Sequence, residues 1–271
     1  MRNTILPLLF IFTLILVMPK RALAQGDLMI MPKRLIFDGS QRSQEINLAN
    51  TGQDTAVYAI SFINYKMTET GNFEQVETPE EGQRFATDFL RYFPRRVTLA
   101  PNEAQTIRVQ LTRTRNLKQG EYRSHMYFRA VEEQSALGEN IASASEGIAI
   151  EINTVFGISI PVIIRHGDST TDTSLSDIEL DLTGAFPQLS MVINRSGNMS
   201  VYGDLLVEHI SESGETTQVG LVKGISVYTP NHKRYFKLEL KKEKVDLISG
   251  KLKISYLSNN NKVLVASELT L

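Results

Sequence analysis

The sequence predicts an all-β protein of two tandem domains, each a sandwich or barrel. Three observations support this. Apolar and polar residues alternate at strand period through most of the chain after residue 24, Gly, Pro and Asn turns separate the stretches, and the second half repeats the first.

Taken in order, the chain opens with Arg2, runs through apolar residues from Ile5 to Met18, and reaches Ala22-Leu23-Ala24 before Gln25. That is the charged, apolar and small-residue order of a cleaved secretory signal, expected over 1–24. The apolar run is about 14 residues, short of the roughly 20 that cross a bilayer as a helix. Its loss removes three basic and no acidic residues, so the formal charge moves from −1 to −4. A mildly acidic chain offers no electrostatic footprint for nucleic acid and none for an anionic membrane face. There is no cysteine, so stability must come from apolar cores and not cross-links.

Strand alternation marks Ile46 and Leu48; Tyr58, Ile60 and Phe62; Ile107, Val109 and Leu111; and Tyr122, Ser124, Met126 and Phe128. It returns at Leu189, Met191 and Ile193, at Phe236, Leu238 and Leu240, and at Leu252, Ile254 and Tyr256. The repeat aligns without a gap: Leu99-Ala100-Pro101-Asn102 with its following strand matches Tyr228-Thr229-Pro230-Asn231 with its own. Leu117–Gly120 recurs as Leu247–Gly250, and Asn50–Gly52 before Val57-Tyr58 recurs as Asn194–Gly197 before Val201-Tyr202. One supersecondary unit used twice explains all three. The polar stretch 168–174 reads as a linker between a first domain over 25–167 and a second over 175–271. Residues 132–147, rich in Glu, Ser, Ala and Gly, form a loop longer than most connections in a compact domain.

The segment Gly147–Arg165 is the most informative. Ile148, Ile150, Ile152, Phe156, Ile158, Ile160, Val162 and Ile164 occupy even positions and would line one face of an extended chain. At roughly 3.3 Å per residue it would run about 55–60 Å, against about 17–20 Å for an ordinary strand. Two readings stand. In one, two core strands meet at a bulge or bend at Gly157. In the other, the part around Ile148–Thr154 is a sheet edge that projects isoleucines to a partner. Such an edge carries only Glu151 before Pro161, too little to blunt strand addition.

Arg34-Leu35-Ile36-Phe37-Asp38-Gly39, Phe93-Pro94-Arg95-Arg96-Val97-Thr98-Leu99-Ala100-Pro101, Gly120-Glu121-Tyr122-Arg123 with Met126-Tyr127-Phe128, and Ile160-Pro161-Val162 with Arg165 follow one another in an order that resembles the periplasmic pilus and fimbrial chaperones of the P-pilus type. The resemblance implies two immunoglobulin-like β-sandwiches in an L shape. It also implies a chaperone that binds pilin-like exported subunits by donor-strand complementation and hands them on, in some cases to an outer-membrane usher. On that resemblance the lent strand is Ile148, Ile150 and Ile152, extended by Thr154 and Phe156. Arg34 corresponds to the family arginine that anchors the subunit's terminal carboxylate. The assisting family lysine has no counterpart, since its position falls on Ser159 or Pro161. Either Arg34 acts alone, or Lys33 or Arg165 assists, or the client differs. The same edge would permit self-association.

No catalytic constellation competes. His125, His166, His209 and His232 are scattered, which predicts no metal site. There is no Gly-x-Ser-x-Gly elbow and no phosphate-binding glycine loop, and Glu80-Glu81 lies in a solvated turn. Asn194-Arg195-Ser196 and Asn198-Met199-Ser200 have glycosylation form but sit in an inferred turn. Tyr58 and Tyr202 are expected to pack or cap sandwich corners. The reading is therefore a cofactor-free, non-enzymatic periplasmic chaperone that does not insert in membranes. The rivals are a structural or adhesive two-domain cell-envelope protein and, more remotely, a carbohydrate-active enzyme on a sandwich fold.

Overall fold

The computed structural model describes residues 28–131, 156–241 and 247–271. Among them there is no α-helix, only two single 3-10 turns at Thr87–Phe89 and Thr114–Asn116. In chain order, the first eleven strands are β1 (Leu28–Met31), β2 (Leu35–Phe37), β3 (Ser43–Asn50), β4 (Ala56–Ile63), β5 (Tyr65–Met67), β6 (Phe73–Gln75), β7 (Leu90–Phe93), β8 (Arg96–Leu99), β9 (Ala104–Leu111), β10 (Gly120–Val131) and β11 (Gly157–His166). Seven more follow: β12 (Asp172–Asp181), β13 (Gln188–Ser196), β14 (Val201–Ile210), β15 (Thr216–Val227), β16 (Lys233–Glu239), β17 (Lys251–Leu257) and β18 (Val263–Thr270).

Alternation decides which face of each strand is buried. In β9 only Ile107, Val109 and Leu111 are buried, while in β17 Leu252, Ile254 and Tyr256 are wholly enclosed. Those faces meet as two separate cores. One gathers Phe37, Ile46, Leu48, Val109, Met126, Phe128, Val162 and Ile164 between the sheets β1-β3-β9-β7 and β2-β11-β10-β4-β8. The other gathers Leu189, Ile193, Leu205, Val207, Leu252, Ile254 and Tyr256 between β12-β13-β16 and β15-β14-β17-β18. Both are immunoglobulin-like sandwiches, not closed barrels.

The duplication is visible in the strand orders. β1-β3-β9 is repeated as β12-β13-β16, and β11-β10-β4-β8 as β18-β17-β14-β15. The Pro-Asn turns at 101–102 and 230–231 each carry the chain from one sheet to the other, β8 to β9 and β15 to β16. Asn50 shows how such a crossing is held: it is buried, and its Nδ2 donates to the carbonyls of Asp54 at 2.7 Å and Leu99 at 3.0 Å. The polar stretch between the halves is shorter than expected, because Asp172–Ser174 already pair with β13 as the opening of β12. Ladder bonding to Asn194–Ser196 draws these polar residues into the sheet edge although they bury little.

Two features of the first sandwich are not repeated in the strand pairing of the second among the described residues. The N-terminal strand is divided at Pro32, so β1 pairs with β3 in one sheet while β2 runs parallel to β11 in the other. The short hairpin β5–β6 stands apart from both sheets and reaches the second sandwich. The Glu69 carbonyl accepts the Tyr235 N–H at 2.7 Å, and the Met67 carbonyl accepts Asn231 Nδ2 at 2.7 Å.

Candidate functional site

β10 sends Tyr122, Met126 and Phe128 to the core, so the odd residues Glu121, Arg123 and His125 lie on the opposite face. Ordinarily that face would meet water. Here the second sandwich and the β5–β6 hairpin cover it, and all three side chains are buried, with Arg123 only 5% exposed. Register extends the row: Arg123 pairs with Ile163, which pairs with Ile36, and His125 pairs with Pro161. Arg34 lies just before β2, two residues from Ile36 and therefore on the same face.

The Arg34 guanidinium lies 3.5 Å above the centre of the Tyr202 ring, and one Nη donates to the Tyr228 hydroxyl. Tyr202, expected to pack or cap a sandwich corner, packs beneath this guanidinium as a cation–π contact. Arg123 stacks on Tyr228 at 4.2 Å and donates from Nη2 to the Tyr65 carbonyl at 3.1 Å. Arg34 Nη1, Arg123 Nε and Arg123 Nη1 are buried and have no hydrogen-bond partner among the described residues. His125 packs edge-on to Tyr65 and Phe73, with ring centres at 5.0 and 5.5 Å. Burial pushes its pKa down to about 3, with the neighbouring Arg123 and Arg34 charges adding to the effect. Burial also draws the Arg123 pKa below its ordinary value, opposed by Tyr228 and Glu121.

The one buried carboxylate nearby faces elsewhere. Glu121 Oε2 accepts Arg165 Nε at 3.1 Å, the Ser200 N–H at 3.0 Å and the Ser200 hydroxyl at 2.7 Å. Arg165 Nη2 donates to the Ser200 carbonyl at 2.8 Å. Arg165, expected as a possible helper of Arg34, is therefore committed to a polar joint between the sandwiches. Lys33 lies exposed in the bend between β1 and β2. Sequence reasoning missed Arg123 and Tyr228. The repeat held one clue, since Tyr228 stands where the first copy has the core residue Leu99.

The greasy strand is described only from Phe156 onward; Ile148, Ile150, Ile152 and Thr154 lie outside the described residues, as does the loop 132–147. Phe156 is half-buried and its carbonyl accepts the Ala130 N–H at 2.9 Å. Gly157 is where β11 begins, and a Cβ there would collide with the Tyr127 ring. β11 pairs with β10 along its whole length, from Gly157 to His166. On its other side β2 covers Val162–Ile164 alone. Gly157–Pro161 has no second strand beside it among the described residues, so this stretch is a sheet margin next to the guanidinium-lined cleft.

No family model matches the chain, and no curated protein matches it. Solved structures similar to it include the YadV chaperone, at 12% identity over 91% of this chain and 100% of that one, with a TM-score of 0.46. Others are a chaperone–tip adhesin complex of CFA/I fimbriae biogenesis, at 13% identity, 90% and 98% coverage and a TM-score of 0.45, and the CupB2 chaperone of Pseudomonas aeruginosa, at 12% identity, 90% and 100% coverage and a TM-score of 0.42.

Proposed function

We propose that this protein is a periplasmic chaperone for pilus- or fimbria-like exported subunits, holding each by donor-strand complementation until assembly. The observation that carries the reading is the margin of β11. Its residues Gly157–Pro161 are paired on one side only among the described residues, and they continue the even-numbered apolar stripe that begins at Ile148. A sheet margin supplies main-chain hydrogen bonds to an incoming fold, and alternate side chains fill its pockets. Burial of Ile148, Ile150 and Ile152 in a client would contribute about 5–9 kcal/mol before ordering costs. Arg34 is the anchor for the client's terminal carboxylate. Its planar fork suits bidentate binding, and it lies on the same cleft face as the β11 margin. The cycle needs no ATP, cofactor or bond-making step, and an usher would receive the loaded subunit.

The test is periplasmic co-purification with identified exported subunits, combined with hydrogen exchange. Ile150→Asp should abolish capture while the fold persists, and Gly157–Pro161 amides should exchange quickly in the free protein and slowly in the complex. Undiminished capture by Ile150→Asp, or slow exchange of those amides in the free protein, would overturn the reading. The latter result would leave a passive two-domain envelope protein.

A further inference from the structure

The joint between the sandwiches leaves a cavity of about 220 Å3, in a part that Arg34, Arg123 and Tyr228 do not line. Arg195, at the end of β13, is buried in its wall. Four of the five N–H groups of its guanidinium go to neutral acceptors. Nε donates to the Asn231 carbonyl at 2.7 Å, Nη1 to the Gly197 and Met199 carbonyls at 2.8 and 3.0 Å, and Nη2 to the Pro230 carbonyl at 3.2 Å. Carbonyls satisfy donors but leave the charge unanswered, and Arg195 forms no ion pair among the described residues. Burial accordingly draws its pKa below the ordinary value, opposed by Glu121. Two more donors line the same cavity. Arg84 comes from the first sandwich, exposed, with Nη1 on the Gln119 carbonyl at 2.7 Å. His232 comes from the second, and its ring has no hydrogen-bond partner among the described residues. The one carboxylate on the wall, Glu121, is already matched by Arg165 and Ser200, so the wall is positive on balance.

We propose that this cavity is a binding site for a phosphate-type oxyanion, free or as a small monoester, held by Arg195, Arg84 and His232. Arg195 supplies the fixed charge. Four carbonyls clamp its guanidinium before any ligand arrives, so little ordering cost remains, and the last N–H of Nη2 is left for the ligand. Arg84 adds a second guanidinium and His232 a ring nitrogen, one from each sandwich. A tetrahedral oxyanion has oxygens enough for donors from three elements, where a planar carboxylate has two. Gly120 preserves the room, because a Cβ there would come within 3.3 Å of Arg84 Nη1. An occupied cavity links the two sandwiches beside the hydrogen bond from the Ser200 N–H to Glu121. The site stands or falls independently of the capture of exported subunits.

The experiment uses the chain over 25–271 at pH 7 and constant ionic strength, with inorganic phosphate replacing chloride. The Nε–H signal of Arg195 and the ring signals of His232 are followed by NMR, with assignments from Arg195→Lys and His232→Gln. Both should shift and saturate together, and exchange of the Ser200 amide should slow. Arg84→Gln, a change at an exposed residue, should weaken binding about tenfold, as loss of a charge-assisted hydrogen bond does. A second titration with glycerol 3-phosphate separates the sources. Tighter binding than inorganic phosphate assigns the site to an organic monoester, and equal or weaker binding assigns it to the free ion. Shifts that grow without saturating, or that saturate equally in Arg84→Gln, would overturn the site and leave a water-filled gap around a structural arginine. A response from His232 alone would do the same. Should Arg195→Lys fail to fold, through-bond assignment of the Arg195 signal in the parent protein lets the phosphate titration decide.

Discussion

A buried histidine beside two arginines makes stability depend on pH in a predictable direction. His125 takes a proton near 6.5 when unfolded and only at about 3 when folded, so between these values the unfolded chain binds more protons. Its contribution is intact above about pH 6.5 and is lost as pH falls, by up to about 1.4 kcal/mol per pH unit. His125→Phe, which keeps a ring against Tyr65 and Phe73, should show a shallower fall in denaturant midpoint from pH 6 to pH 4. Carboxylates that titrate in both proteins cancel in the comparison. Glu121 matters for stability through its fixed partners. Glu121→Gln leaves Arg165 facing a neutral amide and should cost about 3 kcal/mol, the lower end for a broken buried pair, since Arg165 retains some contact with water. Urea unfolding at pH 7 would measure it. None of these side-chain fates was legible in the sequence. Glu121, Arg123 and His125 alternate with core residues, and that pattern ordinarily denotes a wetted face; only the β5–β6 hairpin and the second sandwich, both distant in sequence, make it an interior. Arg34 was singled out only through its resemblance to the family arginine, and its contacts with Tyr202 and Tyr228 were not legible either.

Among elements, the β5–β6 hairpin is a strap between domains that sequence patterning did not reveal. Its strands have three residues each, too short to show a period. Gly71 at its tip has φ of +90° and supports the Arg234 guanidinium, which in turn donates to the Ser226 carbonyl at 2.8 Å. Gly71→Ala adds both backbone strain and a collision with that side chain, for an expected loss of about 1–2 kcal/mol. Amide exchange at Tyr235, whose N–H bonds the Glu69 carbonyl, should accelerate in this variant while exchange in β17 is unaltered. Long strands were far more legible. β3, β9, β10, β13 and β17 all fall where alternation placed them, because burial of one face is the property that alternation encodes. β12 was missed at its start, since Asp172, Thr173 and Ser174 join the sheet through ladder bonds and not through burial.

At the scale of the whole molecule, the duplicated strand order explains why two domains were legible from the sequence repeat, and the interface explains what was not. Copies fold by the same rules, but the joint between them is unique to one face of each. That joint includes Glu121 and Arg165 on Ser200, Arg34 and Arg123 on Tyr228, the hairpin on Asn231 and Tyr235, and a small apolar cluster of Met67, Ile163 and Tyr228. Scanning calorimetry of the parent protein should therefore show one transition. Combining Glu121→Gln with Asn231→Ala should divide it into two, each sandwich keeping its own core; a single lowered transition would mean that the domains depend on each other for more than these contacts.

The division of the first strand at Pro32 has a wider consequence. Residues spent on β1 are unavailable to β2, which reaches β11 with only three to pair. A detour in the opening strand of the first sandwich thereby rations how much of that sandwich's last strand is sealed on both flanks among the described residues.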